Sequence, residues 1–296
     1  MKILVFGETI WDVYPAKSTL GGAPLNFCAN LALLGDEAYL VTGLGRDELG
    51  DAAAKSMREY GIRCDFVRES DRPTGQCIVT LGEGGVPSYR VLTDVAYDDI
   101  RLDSRDLARI AEERFGVFYF NTLAQRAPVS RASVHAILDA VAFPEIFCDV
   151  NIREGCWDRD SLALCMERAT IVKISREEAH FFSDCGLTDG ALPFEEAVHR
   201  AFPNIRLLVY TLGADGSAVY DYANGKEHLS GKPEDVPVVS TVGAGDCFGA
   251  SFLHRYMECG DIDEAIRFAT ARSNVVVSNT EAIPQAFVDE ARAREN

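Results

Sequence analysis

Positive charge is scarce in this chain. Its 296 residues hold 29 lysines and arginines against 46 aspartates and glutamates, a formal net charge of −17. A surface of that sign repels nucleic-acid backbones and anionic membrane faces, so neither is an expected partner. Any phosphate the protein handles must then be held by local main-chain dipoles, a few cations and Mg²⁺. No stretch approaches the roughly 18 apolar residues of a membrane span. The opening Met1-Lys2-Ile3-Leu4-Val5-Phe6-Gly7-Glu8 is too short and too soon acidic for a secretory leader, so a cytoplasmic location is expected. Nine cysteines (28, 64, 77, 148, 156, 165, 185, 247, 259) are scattered, without C-x-x-C or clustered histidines, which excludes zinc spacing and reads as reduced, mostly buried thiols. There is no G-x-x-x-x-G-K-[ST], which excludes a P-loop enzyme, and no G-x-G-x-x-G after the first strand, which leaves a nicotinamide dinucleotide site unsupported. Internal repeats, low-complexity tracts and Ser/Pro-rich linkers are also missing, so a single domain over 1–296 with a small β appendage is expected.

Apolar content of 47% with 25% charged residues is that of an ordinary globular protein. Ile3 to Phe6 is a continuous apolar run, as a strand buried on both faces requires, and Trp11-Asp12-Val13-Tyr14 alternates until Pro15 breaks it. A helix is expected over 24–34 with Gly35 as its stop, then a strand at 38–42 and a helix over 48–60 between Asp47 as N-cap and Gly61. Residues 77–81 and 86–92 flank Gly82-Glu83-Gly84-Gly85 and read as a β-hairpin, a candidate lid with about 10–16 and 74–98. Alternation then resumes, with helices near 104–114, 129–142, 160–168 and 176–184 and strands at 117–120, 146–150, 171–174 and 206–211. A hairpin over 217–229 and helices near 246–258, 262–278 and 285–294 complete the chain. Such alternation implies right-handed βαβ units and an α/β fold built on a mostly parallel sheet.

The stretch with most chemistry in it is Val239-Ser240-Thr241-Val242-Gly243-Ala244-Gly245-Asp246, opening the helix that reaches about Met257. Glycines let main-chain N–H groups crowd together, and the first N–H groups of a helix carry partial positive charge without intrahelical partners. Together they seat a phosphate or a developing oxyanion. A carboxylate there makes sense if it deprotonates a hydroxyl that attacks the phosphate held beside it; the plainer alternative is a glycine-rich turn with Asp246 as a helix cap.

Thr241-x-Gly243-Ala244-Gly245-Asp246 resembles the C-terminal signature of the PfkB (ribokinase-like) carbohydrate kinases. Gly21-Gly22-Ala23-Pro24-x-Asn26 through Gly43-x-Gly45-x-Asp47-x-x-Gly50 resembles their N-terminal one. The resemblance spans essentially the whole chain. It implies a ribokinase-like three-layer α/β/α sandwich with a small β-sheet lid, and ATP-dependent phosphorylation of a sugar hydroxyl with Mg²⁺. On matching positions it implies Asp246 as the base, with Gly243, Ala244 and Gly245 holding the moving phosphoryl group. Asp12, Gly21, Gly22 and Asn26, with Asp246, would hold the sugar. Asp149-x-Asn151-x-Arg153, with Trp157 after it, is similar to the D-x-N-x-R-x-x-x-W segment of fructokinases and 2-keto-3-deoxygluconate kinases, and Arg153 has the planar fork suited to a phosphoryl group. Thr211-x-Gly213-x-x-Gly216 resembles the family's phosphate and ribose contact, Thr241, Gly243 and Gly245 adjoin it, and Asn274 matches a residue lining the adenine pocket.

Ser175-x-x-Glu178 is, as plain structure, a capping box. The family commonly has N-x-x-E here, whose glutamate places Mg²⁺ through water, so Glu178 is the implied metal residue. Ser240 stands where the family usually has the aspartate that helps bind K⁺, which leaves activation by a monovalent cation open. Pairing of two subunits through the lid is also implied. D-Fructose is the expected substrate, although Val95-Ala96-Tyr97-Asp98 replaces the Ser-Ala-Asp frequent in fructokinases. A kinase for 2-keto-3-deoxygluconate, ribose or a nucleoside is the alternative, and a non-catalytic sugar-binding regulator is the alternative from another class.

Overall fold

A computed structural model describes residues 1–15, 17–81, 87–230 and 236–295. The elements run β1 (Lys2–Phe6), β2 (Ile10–Val13), β3 (Ser18–Gly21), α1 (Ala23–Leu33), β4 (Glu37–Gly45), α2 (Glu48–Glu59), β5 (Arg63–Ser70), β6 (Gly75–Leu81) and β7 (Pro87–Val91). After a 3₁₀ turn at Ala96–Asp99 come α3 (Ser104–Glu112), β8 (Val117–Phe120), α4 (Pro128–Ala140), β9 (Glu145–Asp149), α5 (Arg159–Arg168), β10 (Ile171–Ser175), α6 (Ala179–Asp184) and α7 (Phe194–Ala201). The chain ends with β11 (Leu207–Thr211), β12 (Ser217–Asp221), β13 (Lys226–Ser230), α8 (Ala244–Cys259), α9 (Ile262–Val277) and α10 (Gln285–Glu295).

The large sheet has the order β13-β12-β11-β10-β9-β8-β1-β4-β5, parallel from β11 to β5, with β12 and β13 antiparallel at one edge. Successive side chains of its strands enter different cores, as a pleat with period two demands. Leu4, Phe6, Phe118, Phe120 and Cys148 pack with α3 to α7. Ile3, Val5, Val117, Tyr119 and Phe147 pack with α1, α2, α8, α9 and α10. The result is three layers with one core on each face of the sheet, the α/β/α sandwich expected.

Several boundaries differ from the sequence reading. β5 and α7 were not anticipated, nor was β3. β5 is an edge strand in which only Phe66 and Ser70 are buried, so it has no apolar run. α8 begins at Ala244, two residues early, because Gly243 itself is the N-cap at φ 80°. α6 begins at Ala179, since residues 176–178 form a turn.

A smaller sheet, β3-β2-β6-β7, stands apart, its β6 and β7 forming the expected antiparallel pair; the turn residues 82–86 lie outside the described residues. Its base is fastened by Asp47, whose carboxylate caps α2 at Gly50 N (2.8 Å) and accepts from Thr74 N (2.8 Å) and Oγ1 (2.6 Å). A Cβ at Gly45 would lie 2.5 Å from Thr74 N, and one at Gly50 would lie 2.1 Å from Gly45 O, which is why glycines flank that carboxylate. On the other side Arg126 donates to both oxygens of Asp98 (2.8 and 2.9 Å) and to Leu92 O (2.6 Å), tying the end of β7 to the body.

Candidate active site

Because the central strands are parallel, the loops that follow them gather along one edge. Glu8 and Asp12 follow β1, Asn121 follows β8, Asn151 and Arg153 follow β9, Glu178 follows β10, and Thr211 ends β11. The N-termini of α1 and α8 point to the same edge, and their side chains meet there. Asn26, in the first turn of α1, donates through Nδ2 to Asp246 Oδ2 at 2.8 Å, across 220 positions of sequence. Asn26 Oδ1 is buried with no hydrogen-bond partner among the described residues.

A cavity of about 480 Å³ spreads from this bond and is lined by Glu8, Asp12, Gly22, Asn26, Cys77, Tyr89, Asp149, Arg153, Lys173, Glu178, Gly243, Gly245 and Asp246, among others. The geometry thus brings together Asp12, Asn26, Arg153 and Asp246. Gly22 is in the wall at φ 107°, where a Cβ would sit 2.6 Å from Glu8 O, whereas a Cβ at Gly21 would lie 3.6 Å from Asp12 Oδ2. Tyr89 of β7 is 53% exposed and reaches the cavity from the small sheet. Asn151 takes a left-handed φ of 48°, and Arg153 two residues on lines the cavity, where among the described residues its guanidinium makes one long bond, to Ile152 O at 3.3 Å.

A second cavity of about 420 Å³ is lined by Thr211, Gly213, Gly216, Thr241, Ala244, Gly245 and Asn274, with Val236, Val238, Phe248 and Val277 supplying apolar wall. Of the residues expected to hold a nucleotide, Gly243 lines the first cavity and the others line this one. The two cavities share Thr211, Thr241 and Gly245, so they meet at the N-terminus of α8. Gly243 makes that terminus possible: its left-handed φ suits glycine, and a Cβ would lie 2.5 Å from Ala282 Cβ. Ser240 Oγ accepts from Val242 N at 3.3 Å and its own N–H donates to Val277 O, so the hydroxyl serves the loop.

Glu178 is anchored by three donors, Ile152 N at 2.7 Å on one oxygen and Ser175 N and Oγ at 2.8 Å on the other. A carboxylate has about four acceptor positions, so one is left for a water of a hydrated cation; the residue fits that use.

Burial dominates the electrostatics. It raises Asp246 above the usual carboxylate range, against the Asn26 bond, Lys173 and Arg153. Asp12 is raised by burial against Arg153. Glu8, which Asn121 Nδ2 bonds at 3.0 and 2.9 Å, is lifted by burial to about 7. Burial also lifts Asp149 to about 6 although Lys173 opposes it, while burial of Lys173 is outweighed by its carboxylate neighbours, so the ammonium keeps its proton. Sequence reasoning passed over Glu8, Asn121 and Lys173; the one signal was a lysine inside the buried run Ile171-Val172-Lys173-Ile174.

A profile of the pfkB family carbohydrate kinases matches residues 2–287. The chain belongs to the PfkB carbohydrate kinase family. Among its relatives, "Probable fructokinase-6, chloroplastic" of Arabidopsis thaliana is 27% identical over 320 residues, covering 98% of this chain and 80% of that protein. Among solved structures, a fructokinase from Vibrio cholerae O395 with fructose, ADP and calcium bound superposes with a TM-score of 0.79 at 22% identity, covering 97% of each chain. A 2-dehydro-3-deoxygluconokinase from Thermotoga maritima superposes equally well, with a TM-score of 0.80 at 22% identity over 99% of each chain. This PfkB kinase therefore shares its fold with enzymes named for different sugars. Among its described residues no helix is long and apolar enough to cross a membrane.

Proposed function

We propose that this PfkB kinase transfers the γ-phosphoryl group of ATP to a primary hydroxyl of a neutral monosaccharide, D-fructose to fructose 6-phosphate. The observation that carries the reading is the meeting of the two cavities at Thr211, Thr241 and Gly245, the last of these next to Asp246 at the α8 terminus. The apolar cavity of Val236, Val238, Phe248 and Val277 suits a nucleobase, with Thr211, Gly213 and Gly216 beside the ribose and phosphates. The cavity of Asp12, Asn26 and Gly22 suits a polyol.

Asp246 accepts the proton of the attacking hydroxyl through Oδ1 while Asn26 holds Oδ2. The amides of Gly243 and Gly245 and the α8 dipole face the charge that develops on the transferred group, and Arg153 adds its planar fork; the Ala244 N–H, expected to join them, donates instead to Thr241 O at 3.3 Å. Mg²⁺, when bound with the nucleotide, neutralises phosphate charge; Glu178 would hold it through water. Tyr89 and the small sheet cover the sugar and limit entry of water.

Charge supports a neutral sugar. Glu8, Asp12, Asp149, Glu178 and Asp246 line the first cavity against Arg153 and Lys173, and Lys173 is committed to Asp149. Among the described residues, an acid sugar would meet one guanidinium without a carboxylate partner and five carboxyl groups. The replaced Val95-Ala96-Tyr97-Asp98 segment does not bear on the choice: Tyr97 and Asp98 are buried beneath the small sheet, against Gly75 and Arg126.

The test is a panel of about ten sugars and nucleosides with Mg-ATP, read by ADP release. D-Fructose is expected to give a kcat/KM at least tenfold above any acid sugar, ribose or nucleoside. Preference for one of those would overturn the substrate, and no turnover on any would overturn the activity.

A further inference from the structure

Lys173 sits in the middle of β10, 6% exposed, directly opposite Asp149 in the β9–β10 register. Its Nζ donates to both oxygens of Asp149 at 3.0 and 2.8 Å, and Asp149 is 2% exposed. As a stability device this is a poor choice, because two ions leave water for a pair that well-packed apolar residues of similar volume would match or better. Position gives it another use. A Cβ at Gly249 would lie 3.2 Å from Lys173 Cδ, and one at Gly245 would lie 3.4 Å from Nζ. These two glycines are four residues apart on one face of α8, so the first turns of that helix rest directly on the lysine. The ammonium forms part of the cavity wall beside Gly245 and Asp246.

The groups that face Asp246 are Asn26 from α1, Glu8 beyond β1, Tyr119 of β8, Asp149 of β9, Arg153 beyond it, and Lys173. Two of these are cations. Arg153 is exposed on a loop, whereas Lys173 is fixed by a strand, a carboxylate and a helix. We propose that Lys173 is a positioning residue for the phosphoryl transfer: clamped by Asp149, it supports the first turn of α8 and keeps Asp246 ionised to receive the hydroxyl proton. The proposal rests on the reading of Asp246 as the base.

The experiment compares Asp149→Asn with the double variant Asp149→Asn/Lys173→Met, so that the step between them removes one positive charge without leaving a carboxylate unpaired in the interior. kcat is measured against pH with saturating sugar and Mg-ATP, thermal melts confirm folding, and Asp246→Asn is run alongside. Losing the ammonium should move the acid limb of kcat upward by about one pH unit from Asp149→Asn to the double variant, with kcat at neutral pH falling about tenfold. KM for ATP should stay within about threefold. A purely structural lysine would change the melting temperature and leave the limb in place. Limbs that coincide within about 0.2 unit overturn the proposal. If Asp246→Asn keeps both its turnover and its acid limb, the base assignment itself has failed, and the two failures are told apart.

Discussion

Asp246→Asn changes one oxygen to nitrogen and little else, which makes the expected loss interpretable. In the wild type Oδ2 accepts from Asn26 Nδ2 at 2.8 Å, and Asp246 lines the cavity. An asparagine keeps its place by turning its amide oxygen toward Asn26, which directs its NH₂ at the substrate hydroxyl. The hydroxyl then meets a donor where it needs a base. General-base assistance contributes about 10²–10⁴-fold, on the order of 3–5 kcal/mol of barrier. kcat should therefore fall at least about a hundredfold in a coupled ADP-release assay. KM for ATP should stay within about threefold, because the wall formed by Val236, Phe248, Asn274 and Val277 is untouched. Loss of fold is a separable explanation. Burial raises Asp246 in the folded chain, so ionising it at neutral pH costs stability, and the neutral amide should melt no lower than the wild type. A folded Asp246→Asn protein with kcat within tenfold of wild type would refute proton abstraction by this carboxylate.

Gly243→Ala places a side chain at φ 80°, costing about 1–2 kcal/mol, and drives its Cβ to 2.5 Å from Ala282 Cβ. The loop must shift, and KM for ATP should rise at least about tenfold with a lower melting temperature; an unchanged KM would mean the amides do not touch the nucleotide. For Glu8, burial lifts the folded value from 4.5 to about 7. Between those values the folded chain holds a proton that the unfolded chain has released, so stability falls as pH rises through the window, by on the order of 3 kcal/mol. Glu8→Gln should therefore melt higher than wild type at pH 8 by a margin that shrinks at pH 4.5; an equal difference at both refutes the assignment. Arg126→Met leaves Asp98 buried and unpaired and frees Leu92 O, and should lower unfolding free energy by about 3–5 kcal/mol in urea titrations. A loss under about 1 kcal/mol would show that the small sheet is held elsewhere.

What was legible in the sequence follows from how many neighbours each feature needs. β1 and β8 announce themselves because both faces are buried and Ile3 to Phe6 and Val117 to Phe120 are apolar throughout, and β10 does so despite Lys173. β5 does not, since an edge strand with Arg63, Asp65, Arg68 and Glu69 in it looks like loop. α7 is short and starts at Phe194, after Pro193 as an N-cap that offers no side-chain acceptor. The Ser175–Glu178 bond of a capping box does form, yet the helix starts later, because the other oxygen of Glu178 is drawn to Ile152 N in the loop after β9, a tertiary bond that no local pattern records. The same distinction runs through the site. Asp246, Asn26 and the glycines sit in spaced motifs, whereas Lys173 and Glu8 acquire their surroundings from partners 24 and 113 positions away.

The scarcity of positive charge is answered at this same place. A chain with a net charge of −17 offers a polyphosphate no attractive global field, and the walls shared by the two cavities are Thr211, Thr241 and Gly245, which carry no charge at all. Attraction must come from oriented amides and the α8 dipole, which act within about one helical turn. The carboxyl groups of Glu8, Asp12, Asp149, Glu178 and Asp246 line the first cavity and not the second. On the proposed function these groups serve the sugar, whose hydroxyls they can accept from, while a neutral helix terminus serves the nucleotide.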